Sequence, residues 1–394
     1  MTDDVRFFDD LPDAAKAVAL LRDIEKMKPA LPHGKIDKPL YLYGAGSLGR
    51  LAWDYFKKVG VSVAGVIDKN AVKARQDPFW NGVPVVNPEE VPEDVKKDIL
   101  LAVCVVTSPW GEVTHPLRAD GWQDIVPFYT VCASYLDKHP LDNGWLTGPL
   151  TPKDVSEIEN VLSCYADDIS RAHHLMFLAW HCLQEEWIFK KAPVTLDDRF
   201  FIPEIVSKLH DRESFADLGA HHGNVILKFL GTVKSKFTGV TAFEPDAENA
   251  KELRKTVDQL PSDVKTKIRI EEKILGRTSG KANFESGLGY ASRIVKQGGT
   301  QAPVFSLDEF NLSPSFIKAH LEGGELDALL GGLRTIRRHK PIVALTVYHD
   351  REGLWGVQKG LKDALSGEGY RFIFRQHGWQ GTGGVLYLIP ETRE

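Results

Sequence analysis

The chain has 394 residues, a formal net charge of −5, 43% hydrophobic and 26% charged residues. At roughly 100–200 residues per domain it divides into two or three units, and its slightly acidic balance excludes a binder of nucleic acid or membrane surfaces driven by bulk charge. Four scattered cysteines without a CxxC pair, an acidic start unlike a signal peptide, and no apolar run of about 18 residues predict a cytoplasmic protein with reduced thiols.

In chain order, residues 11–28 predict an amphipathic helix, with Ala15, Val18, Leu21 and Ile24 at helical spacing. Two prolines and a glycine make 29–38 a linker, so 1–37 reads as an N-terminal helix and linker. A strand at 40–43 runs into Gly44-Ala45-Gly46-Ser47-Leu48-Gly49, followed by a helix at 50–59 and a strand at 61–67 ending at Asp68. Further strands are expected at 99–106 and near 125–128. This strand–turn–helix–strand order predicts a Rossmann-like nucleotide-binding domain over 38–150. Gly44, Gly46 and Gly49 are the turn residues, and Asp68, 19 residues after Gly49, would meet a ribose; taken alone, that favours NAD over NADP.

Prolines and glycines at 138–152 mark a boundary. Residues 153–190 are helical in pattern and aromatic-rich (Tyr165, Phe177, Trp180, Trp187), and 151–199 reads as a helical connector. His173, His174, His181 and Cys182 lie there without H-x-x-x-H or CxxC spacing, so a packing helix or lid is expected and no metal.

From 200 to 394 the strands 215–219, 238–245, 268–272, 316–322 and 341–349 alternate with helical segments and close on a pair at 371–375 and 384–389. That pattern predicts a mostly parallel sheet with an antiparallel edge. Its chemistry begins at Phe215-Ala216-Asp217-Leu218-Gly219-Ala220-His221-His222-Gly223-Asn224. Asp217 is delivered at a strand end, Gly219 and Gly223 permit a tight turn, and the next helix offers its positive end. The second strand ends at Phe243-Glu244-Pro245, with Glu244 21 residues after Gly223. A carboxylate there accepts from both hydroxyls of a ribose and repels phosphate. Two glycines make no pyrophosphate nest, so S-adenosylmethionine fits this pattern better than a dinucleotide. The cofactor set is Asp217, Gly219, Ala220, His221, Gly223, Glu244, Pro245 and Glu322.

On the strand 316–322, alternate residues share a face, which aligns Lys318, His320 and Glu322, with Glu322 at the end where open α/β sheets bind ligands. His320 is a general-base candidate, His349 at the end of the next strand is a second, and Lys318 completes the catalytic set. The glycine-rich loop 377–384 is expected over the same rim, with Trp379 placed to cover an acceptor. Tyr290, Ser292 and Arg293, after Gly287 and Gly289, read as a surface loop.

These motifs resemble the FkbM family of methyltransferases over about 200–390. Asp217, Gly219, Ala220 and Gly223 match its D-x-G-A-x-x-G. Phe243, Glu244 and Pro245 match F-E-P, with Asn249 following. Ser306-Leu307-Asp308 matches S-L-D. Ile317-Lys318 with Glu322-Gly323-Gly324-Glu325 matches the lysine strand leading to E-G-x-E. The resemblance implies methyl transfer from S-adenosylmethionine, usually to a hydroxyl oxygen, and would place the loop of Tyr290, Ser292 and Arg293 over the cofactor. Two departures are His320, where the family commonly has aspartate, and Thr346, where it commonly has an acid. The stretch 38–130, with Gly82-Val83-Pro84-Val85, resembles the small Rossmann subdomain that precedes sugar-modifying acyltransferases and accompanies some FkbM-like proteins, and implies a nucleotide or nucleotide-sugar.

The expected fold is α/β: two tandem Rossmann-like domains joined by a helical connector, the second a class I methyltransferase-type sheet. The expected activity is O-methylation of a glycan or small secondary metabolite, with homo-oligomers allowed and neither nucleic acid nor membrane as partner. Two other readings stay open: an NAD-dependent oxidoreductase using the first domain, and a non-catalytic cofactor-binding protein.

Overall fold

The computed structural model describes residues 5–139, 141, 143, 145–285, 293–295 and 299–393. The chain opens with β1 (Val5–Phe8), absent from the sequence reading, and the helix Ala14–Lys26, whose N-cap Asp13 accepts from Lys16 N–H. Next comes a five-stranded sheet of β2 (Leu40–Tyr43), β3 (Val63–Ile67), β4 (Val85–Val86), β5 (Leu100–Val103) and β6 (Asp124–Pro127), ordered β4-β3-β2-β5-β6 and parallel throughout. Parallel strands buried on both faces read as continuous apolar runs, which is why Leu100–Val103 is entirely buried.

The segment 151–199 is more than a connector. Its helices Pro152–Cys164 and Asp168–Leu183 join the Ala14–Lys26 helix in one apolar cluster with Ala216, Leu218, Ile317, Val343, Leu345 and Leu386 of the following sheet. The helix Asp168–Leu183 lies against that sheet at Tyr370–Gln376, and the N-terminal helix packs on it and on Pro152–Cys164. The strand β7 (Glu186–Phe189) pairs in parallel with β1.

The large sheet contains β8 (Glu213–Leu218), β9 (Phe237–Phe243) and β10 (Ile268–Glu271). A small four-stranded sheet follows, built from β11 (Ile274–Leu275), β12 (Gly280–Glu285), β13 (Arg293–Val295) and β14 (Thr300–Phe305); the sequence reading did not contain it. The chain returns to the large sheet with β15 (Phe316–Ala319), β16 (Ile342–Thr346), β17 (Tyr370–Gln376) and β18 (Gly384–Pro390). The order is β10-β9-β8-β15-β16-β18-β17, with β18 antiparallel to both neighbours. Along β16, Val343 and Leu345 face the helical cover while Ile342 and Ala344 enter the opposite cluster with Phe215, Phe229 and Phe316. The molecule is therefore mixed α/β with parallel sheets, and the carboxyl ends of β8, β9, β15 and β16 meet at one edge.

Two strands are shorter than expected. β15 stops at Ala319, because Glu322 takes φ +52 and Gly323 φ +98, which no strand accommodates. β16 stops at Thr346, three residues before His349. His320, Glu322 and His349 therefore stand on turns beyond the strands, not on one strand face. Among the described residues, no helix is long and apolar enough to cross a membrane.

Candidate active site

The turn after β8 is fixed by sterics. Gly219 has φ +80, and a Cβ there would lie 2.0 Å from the His320 carbonyl oxygen; at Gly223, φ +89, it would meet Leu253 at 2.8 Å. Gly219 and Ala220 both donate to the Phe243 carbonyl, at 2.9 Å each, and Gly223 N–H closes the bend on Ala220 O. Gly223 then caps the Asn224–Thr232 helix.

Asp217 and Lys318 lie beneath this turn. The Lys318 ammonium donates to Asp217 Oδ1 at 2.8 Å and to the Gly219 carbonyl at 2.6 Å, and the side chains are 2% and 0% exposed. Burial raises the Asp217 pKa while Lys318 opposes the rise. Both residues belonged to the predicted working set, Lys318 as catalytic and Asp217 as a cofactor contact. Here the ammonium is bonded to the turn, and neither side chain lines the cavity. They position Gly219.

Glu244 stands just past β9 and is 5% exposed. Its Oε2 accepts from His221 N–H at 2.7 Å and its Oε1 from Asp246 N–H at 3.1 Å. Burial raises its pKa, opposed by those two donors. Each carboxylate oxygen has two lone pairs, so the bonds that orient Glu244 leave capacity for a ligand. Gly219, His221, Glu244, Pro245 and Glu322 all border one cavity of about 580 Å³, within the range of small-molecule sites. Ala220 and Gly223, also expected at the cofactor, do not line it.

On the opposite wall His320 Nε2 is 3.0 Å from Glu322 Oε1, and His349 Nδ1 is 3.2 Å from Glu322 Oε2. The two imidazoles lie with ring centroids 5.1 Å apart. Burial, with Arg199 and Lys318 nearby, holds the His320 pKa well below the usual histidine range, so its ring is neutral. Tyr348 Oη is 3.3 Å from His320 Nε2 and accepts from Arg199 at 2.7 Å. Glu325 holds the turn by accepting from Leu321 N–H and Gly323 N–H at 2.7 and 3.0 Å. Thr346 donates to the same carboxyl at 2.7 Å and so helps to hold the turn. Burial pushes Glu325 up to about 7. Sequence reasoning missed Arg199, Tyr348 and the clamping role of Glu325. Arg199 and Tyr348 are 149 residues apart and carry no motif; the E-G-x-E match did include Glu325.

The loop 377–384 does not cover the rim as expected. Trp379 N–H donates to Val106 O and Gln380 Nε2 to Val105 O, while Gly381 O is 3.1 Å from His181 Nε2. The loop is wedged between the helical cover and the N-terminal sheet. Tyr290 and Ser292 lie outside the described residues, as does the side chain of Arg293. The histidines of Asp168–Leu183 are packed: His173 bonds Gln376 N and Ala192 O, and His174 bonds Tyr165 Oη and Leu354 O.

At the N-terminal glycine turn, Asp68 Oδ2 accepts from Ala45 N–H at 2.7 Å and Oδ1 from Asn70 N–H at 2.6 Å. Gly44 has φ +107, and a Cβ on Gly49 would lie 2.0 Å from Gly44 O. Gly44 and Asp68 border a cavity of about 250 Å³ together with Glu112; Gly46, at the helix N-terminus, does not line it.

The turn, the strand-end carboxylate and the wall beyond β15 all fall within one recognised sequence pattern. Residues 217–372 match the methyltransferase FkbM domain. In overall fold the chain resembles methyltransferase FkbM from Methylobacillus flagellatus KT, with a TM-score of 0.64 and 19% identity over 95% of this chain and 98% of that one. Two slighter likenesses are to precorrin-6y C5,15-methyltransferase from Geobacter metallireducens GS-15 (TM-score 0.29, 13% identity, 50% of this chain and 93% of that one) and a SAM dependent methyltransferase from Aquifex aeolicus (TM-score 0.29, 15% identity, 49% and 90%); nothing rests on these. No curated protein matches the sequence.

Proposed function

We propose that this protein is an S-adenosylmethionine-dependent methyltransferase whose acceptor is a hydroxyl of a glycan or small metabolite. The observation that carries the reading is the Glu244 carboxylate, oriented by His221 N–H on the wall of the 580 Å³ cavity, beside a turn that only glycine can form. The lining chemistry fits the cofactor. Glu244, Glu322, Asp327 and Asp350 outnumber Lys273 there, a balance that favours a net-cationic ligand and disfavours phosphate.

When bound, S-adenosylmethionine supplies an electrophilic methyl group. Glu244 would accept from the ribose hydroxyls, and Gly219 and His221 would border the rest of the molecule. The neutral His320 ring would accept a proton from an acceptor hydroxyl on the opposite wall. Tyr348 and Arg199 would hold that ring in place.

Calorimetric titration of the full chain with S-adenosylmethionine tests the site. Saturable binding, lost in Glu244→Ala, is expected; equal binding by both proteins refutes the assignment. The acceptor class is tested by incubating the protein with labelled cofactor and hydroxylated glycans, followed by mass spectrometry of the product.

A further inference from the structure

The cluster on the wall opposite Glu244 has the donor set of a metal centre. From its geometry we infer that His320, Glu322 and His349 bind one divalent transition ion of the Zn²⁺ class. The first argument is spacing. Around an ion with ligands at about 2.0–2.2 Å, neighbouring donor atoms lie roughly 3.0–3.5 Å apart. Here His320 Nε2 is 3.0 Å from Glu322 Oε1 and His349 Nδ1 3.2 Å from Oε2, so each imidazole faces one oxygen of the carboxylate, and one donor atom from each residue falls within 4.8 Å of the others.

The second argument is support. His349 presents Nδ1 to Glu322, while Glu325 Oε1 stands 3.6 Å behind it at Nε2. At that distance Glu325 is a charged neighbour of the ring rather than a hydrogen-bond partner, close enough to become the carboxylate that orients a ligating imidazole if the ring settles on an ion. Glu325 also closes the turn that carries Glu322 through its bonds from Leu321 and Gly323, so the central ligand is delivered by a clamped backbone.

The third argument is access. His320 and Glu322 border the cavity, and their side chains are 22% and 13% exposed against 3% for His349. Three protein ligands, one deep and two at the wall, leave coordination positions open toward the cavity, as in sites that act on a bound molecule. Two imidazoles and one carboxylate suit Zn²⁺, Co²⁺ or Fe²⁺ better than Mg²⁺ or Ca²⁺, which prefer oxygen donors. Ion binding itself stands apart from the methyltransferase reading. Its use rests on that reading: the ion would take the acceptor hydroxyl oxygen as a ligand and lower its pKa, so that the proton leaves to solvent and His320 serves as a ligand instead of the proton acceptor of the metal-free site.

The test uses the chelator-stripped full chain titrated with Co²⁺, followed by visible d–d absorption, and with Zn²⁺ by calorimetry. One ion per chain is expected, with affinity weakened by on the order of 10–100-fold or more in His349→Ala and Glu322→Gln and unchanged in His339→Ala, a histidine outside the cluster. Melting of each variant in chelator shows that it is folded. Failure of the wild-type chain to take up either ion overturns the inference, as does affinity that survives both cluster substitutions. The S-adenosylmethionine titration is run in parallel on metal-free protein. Cofactor binding without ion binding sinks the metal centre alone, and the reverse sinks the methyltransferase site alone.

Discussion

Lys318→Met tests the idea that the floor of the cavity is held by a buried charge pair. The methionine fills most of the lysine volume, so the change removes the ammonium and leaves Asp217, 0% exposed, without its cation. Breaking one side of a buried pair costs about 3–5 kcal/mol, and here the Gly219 carbonyl loses its donor as well. At roughly 2–4 °C per kcal/mol for a unit of 150–250 residues, melting should fall by about 6–20 °C. Burial already raises the Asp217 pKa, and loss of Lys318 raises it further. The variant's defect should therefore shrink as the pH falls and Asp217 takes a proton. The double variant Lys318→Met/Asp217→Asn removes both charges and should recover at least half of the loss. Thermal and urea unfolding of the wild type, both single variants and the double variant give the coupling energy directly. A single variant within about 1 kcal/mol of wild type, well below the cost expected for a stranded charge, refutes the reasoning, and so does a double variant no more stable than Lys318→Met.

Other expectations follow from the same geometry. Gly219→Ala forces a Cβ to 2.0 Å from His320 O at φ +80; it should cost at least about 1–3 kcal/mol and weaken cofactor affinity, both read from one set of melts with and without ligand. Glu244→Gln keeps an acceptor for His221 N–H but loses the charge and the acceptor for Asp246 N–H, so cofactor affinity should fall by about tenfold or more, with stability in the absence of ligand lowered by about 1–3 kcal/mol. Glu186, which accepts from Trp110 and Gly111 N–H, is pushed from its ordinary 4.5 up to about 7 by burial. The folded chain therefore holds a proton that the unfolded chain releases. That contribution to stability is fully present below 4.5 and is lost as the pH rises through about 7. Melting at about pH 5 and about pH 8 should differ in this sense, and Glu186→Gln should flatten the difference.

The strands were legible because parallel strands covered on both faces must be apolar throughout, as at 100–103 and 342–346. The turn at 219–223 was legible because its backbone angles admit few residues but glycine. What escaped was anything decided by distant partners. The ammonium of Lys318 looked available on a strand face, yet the carbonyl that claims it belongs to Gly219, 99 residues away. The segment 151–199 has helical periodicity, but which sheet it would cover could not be read from the segment itself. The strand β1 is four residues long and depends on β7, far along the chain. The left-handed turn at Glu322 broke a period-two pattern that otherwise continued through it.

The shared cluster beneath the sheet has a consequence for biosynthesis. Leu20 and Leu21, near the start of the chain, pack in the same core as Leu386 and Leu388, near its end. On the ribosome the first helix emerges long before the two helices, Pro152–Cys164 and Asp168–Leu183, that form its seat. The five-stranded sheet has its contacts within about a hundred consecutive residues and can form early. The opening helix must then wait, with its apolar face unsheltered, until the helices Pro152–Cys164 and Asp168–Leu183 are out, so a nascent chain stalled after β6 would hold its first helix in solvent.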